Sequence, residues 1–133
     1  ALTQMKARDK AFIATKVWTS GERQGIVQMQ ESSARMAAPV VDLMQIHNLV
    51  DWRTHLKTLR KWKDEGRIRY IGVTHYTDGA LDDLAAIVRA ENIDFVQFAC
   101  SIGQRAPEER FLPLMAESSI MGRFLHLPES LYR

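Results

Sequence analysis

The 133-residue sequence contains one cysteine, Cys100, so no disulfide can form within the chain and a reducing compartment is the simpler expectation. Net charge is also scarce: 18 Lys and Arg oppose 16 Asp and Glu, leaving +2. That balance gives no reason to expect nucleic acid or a membrane surface as partner. The densest basic stretch, Arg53 to Arg69, is interleaved with Asp64 and Glu65 and reads as a solvated helix face. No apolar run approaches the roughly 20 residues needed to cross a bilayer, and nothing reads as a signal peptide, so a soluble, cytoplasmic protein is expected. No GxGxxG follows a strand-like run, which removes the signature of an open dinucleotide-binding sheet. No HxH or carboxylate partner accompanies His47 and His75, so a hydrolase-type metal pair is disfavoured and no metal site is expected.

What is present is a regular alternation. Apolar runs rich in β-branched residues at 12–18, 40–47, 68–76 and 94–101 begin 28, 28 and 26 residues apart, about one βα unit each. Between them lie amphipathic segments. Thr19-x-x-Glu22 reads as a capping box ahead of Ile26, Met29, Ser33 and Met36. Leu56, Leu59 and Trp62 recur at helical spacing before Gly66, a C-terminal cap. Thr77 or Asp78 can cap the stripe Leu81, Leu84, Ala85 and Val88. A short helix is expected at 1–8 and a further strand at 119–127. Pro107 suits the first turn of a helix over 107–118, whereas Pro113 would break its interior. With 46% hydrophobic residues the chain can bury one core. The architecture expected is α/β: a partial (β/α)₈ barrel of about four βα units, because a whole barrel takes about 250 residues.

In parallel α/β folds the chemistry collects at the carboxyl ends of strands. Lys16 interrupts the apolar run FIATKVW, His47 closes the second run, Thr74 and His75 end the third, and Gln97 lies in the fourth. Each has an ordinary alternative: a snorkelling lysine, a hydrogen-bonded structural histidine, a strand threonine, a glutamine satisfying backbone. Lys16 is the least ordinary, since a buried ammonium is costly unless it is paired, neutralised or used. A Schiff-base lysine is one such use. Cys100 reads as a structural thiol.

FIATKVW, VDLMQIHN, the block HNLVDWRTHLKTLRKWKDEGRIRYIGVTHY and FVQFACSIGQRAPEERFLPLMAE together resemble the aldo-keto reductase family over residues 1–117, with 118–133 divergent. The resemblance implies a (β/α)₈ barrel that reduces carbonyls with NADPH, less often NADH. It implies that Lys16 pairs with an aspartate and lowers the pKa of a catalytic tyrosine, and that His47 orients the substrate carbonyl. Thr74, His75 and Gln97 would contact the nicotinamide carboxamide, although Ser-Asn is commoner than Thr-His in the family. Tyr70, Tyr76 and Tyr132 do not match the tyrosine, and Asp9 does not match the aspartate.

The expectation is therefore one incomplete barrel domain over 1–133, inactive by itself, whose complete form takes NADP(H) and a small carbonyl or alcohol. Two unpaired sheet edges add the expectation of self-association. From another functional class comes a non-catalytic, self-associating half-barrel acting as a binding or interaction module.

Overall fold

The computed structural model describes residues 11–100 and 105–117. The helix expected at 1–8 and the strand expected at 119–127 lie outside them. Four strands, β1 (Ala14–Val17), β2 (Val41–Ile46), β3 (Ile68–His75) and β4 (Phe95–Phe98), form one parallel sheet in the order β1-β2-β3-β4. Helices α1 (Glu22–Arg35), α2 (Trp52–Asp64) and α3 (Leu81–Ala90) connect them. This is half of a (β/α)₈ barrel. Each strand is shorter than its apolar run because only the paired residues enter the ladder.

One sheet face carries Val17, Met44, Ile46, Ile71, Val73, Val96 and Phe98, all buried. Met29 of α1, Leu56, Leu59 and Trp62 of α2, and Leu84 and Val88 of α3 join the same core. The stripes read from sequence are the buried ones on α2 and α3, whereas of the α1 stripe only Met29 is buried, Ile26 and Met36 pack partly buried against the core, and Gly25 takes the other buried position. The other face, which lines the inside of a barrel, carries Phe12, Ala14, Lys16, Leu43, Gln45, Tyr70, Gly72, Thr74, Phe95 and Gln97 by alternation and register.

Helix termini divide between local and tertiary control. Gly66, at φ +72°, ends α2: its N–H bonds Lys63 O at 3.0 Å and that of Arg67 bonds Trp62 O at 2.9 Å. This paired pattern suits glycine. Helix α1 ends with the same bonds from Ala37 and Ala38, but Ala37 carries φ +48°. An alanine there costs about 1 kcal/mol relative to glycine.

The capping box at Thr19 does not form. Gly21 precedes α1 and no side chain caps it; the Gly21 N–H instead donates to Asp51 Oδ2 at 2.8 Å. Neither Thr77 nor Asp78 caps α3, which follows a 3₁₀ turn at Asp78–Ala80 and has Ala80 at its N-cap. Pro113 does interrupt the helix over 107–118. Phe111 falls between α4 (Ala106–Arg110) and α5 (Leu112–Glu117), fully buried, with its ring 4.9 Å from that of Phe98.

Carboxylates tie together the amino-terminal side of the sheet. Asp42 accepts from Ile13 N–H at 2.8 Å and from Arg69 at 2.7 Å. Asp94 accepts from Ile71 N–H at 2.8 Å and from Lys63. The opposite, carboxyl-end side holds the groups of the candidate site.

Candidate functional site

On the inner face, Phe12, Tyr70 and Phe95 form an aromatic floor, with Tyr70 and Phe95 edge to face at 5.3 Å and Phe12 6.3 Å from each. Lys16 stands toward the carboxyl end of β1, in register with Gln45. Gln45 lies over β3: a Cβ at Gly72 would sit 2.8 Å from its Cγ, so only glycine gives it that path. Lys16 is half-buried, and no carboxylate or tyrosine hydroxyl among the described residues pairs with it. Burial pushes its ammonium below the usual lysine range.

His47 opens a 3₁₀ turn directly after β2. Its Nδ1 lies 3.1 Å from Thr74 Oγ1, and the same oxygen accepts the Asn48 N–H at 3.3 Å. Burial, then the positive charge of Lys16 and then His75, lower the His47 pKa. The ring is therefore held neutral near pH 7, as a hydrogen-bonding group rather than a cation. Lys16, His47 and Thr74 come together at the sheet's carboxyl end.

The remaining two candidates are placed differently. Gln97 is buried, in register with Thr74, and no hydrogen bond among the described residues engages its amide. His75 points to the opposite side of β3 from Thr74 by alternation. Its Nδ1 accepts the N–H groups of Tyr76 and Thr77 at 3.1 and 3.2 Å, and its ring stacks on Tyr76. It holds a turn at the rim of the site. Cys100 is half-buried, with its Sγ 3.9 Å from Glu108 Oε1.

Trp18 was not singled out from the sequence and belongs to the site. It is 62% exposed, and its ring meets His47 edge-on, with centroids 5.4 Å apart and planes at 89°. Alternation from Lys16 to Trp18 was the available signal. Asn48, Leu49 and Asp51 all take positive φ, at 52°, 56° and 45°, in the loop after β2. Asn48 and Asp51 are residue types that tolerate this region, whereas for Leu49 it is strain stored beside the site that its residue type does not announce. Among the described residues no group of three His, Cys, Asp or Glu could hold a metal, and no helix is long and apolar enough to cross a membrane.

Comparison with known proteins gives this geometry its context. The family model of the aldo/keto reductases matches residues 1–121. Aldo-keto reductase YhdN of Bacillus subtilis is 27% identical over 133 residues, covering 90% of this chain and 39% of its own. Among solved structures, the holo form of aldo-keto reductase AKR11C1 from Bacillus halodurans aligns with a TM-score of 0.74 at 24% identity, over 96% of this chain and 49% of that one. An aldo/keto reductase from Klebsiella pneumoniae in complex with NADP and acetate aligns with a TM-score of 0.71 at 18% identity, over 89% and 43%. The chain thus spans half or less of the length of these relatives. With the family model matching nearly its whole length, the chain belongs to the aldo/keto reductase family.

Proposed function

We propose that these residues are part of the active site of an NAD(P)H-dependent carbonyl reductase, most simply with NADP(H), acting on a small carbonyl or alcohol. In this reading residues 1–133 are one incomplete barrel domain, inactive alone. The observation that carries it is the convergence of Lys16 and His47 at the strand ends, with Lys16 half-buried and without an anion among the described residues. Such a lysine is positioned to favour the phenolate of a neighbouring tyrosine and so to bring that acid toward neutral pH. His47, held at Nδ1 by Thr74, keeps Nε2 for the substrate oxygen.

Bound NADP(H) supplies the hydride. The residues present fit its carboxamide in part. Gln97 has an uncommitted amide, whereas Thr74 Oγ1 already serves His47 and Asn48, and His75 Nδ1 serves the Tyr76–Thr77 turn. Gln97 is thus the principal carboxamide residue, and Thr74 acts chiefly by holding His47. In an eight-stranded barrel containing this segment, Gln97→Ala is expected to weaken NADPH binding about tenfold, the worth of roughly one net hydrogen bond. Fluorescence titration checks this. An unchanged Kd would remove Gln97 from the cofactor site; absence of both NADPH binding and carbonyl reduction in that barrel would overturn the whole reading.

A second reading, a non-catalytic module that self-associates, is favoured by Phe12: it is 49% exposed although it belongs to the aromatic floor. Strands β1 and β4 each have one neighbour among the described residues, and two four-stranded sheets supply the eight strands that a closed barrel uses. A dimer is expected in sedimentation of the 133-residue chain at micromolar concentration. A cooperatively melting monomer would remove this reading.

A further inference from the structure

The connector between β1 and α1 is held from three directions. His55 Nε2 lies 2.6 Å from Thr19 O, Asp51 Oδ2 accepts the Gly21 N–H at 2.8 Å, and the Gln28 side chain grips Trp18. The last contact is the informative one. Gln28 Oε1 accepts the Trp18 N–H at 2.6 Å, and its Nε2 donates to Trp18 O at 3.4 Å. One side-chain amide thereby meets both backbone groups of one residue, as a neighbouring strand would, at the point where β1 leaves the ladder.

This matters because Trp18 is exposed. A 62% exposed indole gains little from burial, so the backbone anchor, which fixes the Cα–Cβ direction, sets the point from which the ring reaches His47. From that anchor it meets His47 edge-on at 5.4 Å, while Thr74 holds the same imidazole at Nδ1. The imidazole is thus fixed from two sides, by the hydroxyl of β3 and by the indole. We propose that Gln28, half-buried on α1 beside the buried Met29, is a positioning residue of this site, acting through Trp18 on the orientation of His47. The functional meaning of that orientation rests on the carbonyl-reductase reading above; the contact chain does not.

The test is NMR on the 133-residue chain. Its three tryptophans give three indole signals, that of Trp18 assigned by its loss in Trp18→Phe. Wild type is expected to show cross-relaxation between the Trp18 indole and the His47 ring, and a Trp18 amide slowed at least tenfold in hydrogen exchange. Gln28→Ala and the equally long, apolar Gln28→Met are expected to lose most of both, with the His47 ring signals moving toward their free-histidine positions. Gln28→Glu keeps the acceptor and is expected to restore the contact in part. If the variants keep wild-type indole–imidazole intensity, the proposal is overturned. If they fail to fold, wild type still decides: a Trp18 amide exchanging at the unprotected rate, or no indole–imidazole contact, overturns it equally. None of these readouts uses cofactor or turnover, so a failure to bind NADPH would leave the contact chain standing.

Discussion

Gly25→Ala is expected to destabilise the fold by about 3 kcal/mol, although alanine is the better helix former by about 1 kcal/mol. Gly25 lies inside α1 and is buried. A Cβ there would stand 2.4 Å from Cε1 and 2.6 Å from Nδ1 of His55, on α2. Those distances exclude a methyl group unless a helix or the ring moves. The ring is not free to move: His55 is fully buried, and its Nε2 lies 2.6 Å from Thr19 O. Its Nδ1 has no partner among the described residues, so Nε2 carries the donated proton and that bond is the ring's one anchor. Overpacking costs about 1–3 kcal/mol and loss of a buried hydrogen bond about 1–3 more, which together exceed the helix-propensity gain. Urea unfolding of Gly25→Ala, His55→Ala and the double variant separates the terms. The double variant is expected to lose less than the sum of the singles, by about 1–2 kcal/mol, because removing the ring removes the clash. A Gly25→Ala protein as stable as wild type would mean that α1 and α2 do not meet as the geometry states.

That contact also marks where reading the sequence stops. The four strands and three long helices were legible because both periodicities are strong there, and the glycine ending α2 was legible because Gly66 is a local device. Lys16, His47, Thr74 and Gln97 were legible as polar residues at the ends of apolar runs, which is where a parallel sheet collects its chemistry. The capping box at Thr19 failed for a tertiary reason. Contacts 36 and 30 residues away, from His55 to Thr19 O and from Asp51 to Gly21 N–H, set that connector instead. A mid-helix glycine and a histidine on the next helix carry no mutual signal in the chain, and neither does a glutamine that grips backbone 10 residues earlier. His75 shows the converse: adjacency to Thr74 suggested a shared role, whereas strand alternation sends its ring to the other side, into a turn. The likeness of FIATKVW to a family motif suggested a chemistry for Lys16, but only the fold shows that, among the described residues, Gln45 is its register partner and its charge reaches His47.

Lys16→Met is expected to move activity and stability in opposite directions. In an eight-stranded barrel containing this segment, carbonyl reduction is expected to fall by a factor on the order of 10² or more, the usual worth of a group that tunes a general acid. In the 133-residue chain the same change is expected to raise the unfolding midpoint at pH 7. The sign follows from burial. Desolvation lowers the folded-state pKa of Lys16 beneath its ordinary value of 10.5. The unfolded chain therefore holds this proton to higher pH than the folded one. The cost of burying the charge is fully present below the folded pKa and is relieved as pH rises toward 10.5. The advantage of methionine should accordingly be largest at and below neutral pH, and shrink through the window between those two pKa values. Losing the cation also relieves His47, whose pKa Lys16 depresses, so its imidazole should titrate at higher pH in the variant. Unchanged turnover would take Lys16 out of the mechanism, and a lowered midpoint at pH 7 would mean that the ammonium has an anionic partner in the folded chain. Among the described residues no anion offsets that charge; under the carbonyl-reductase reading proposed above, a carboxylate and a tyrosine supplied by the rest of the barrel would turn the same cost into acid catalysis.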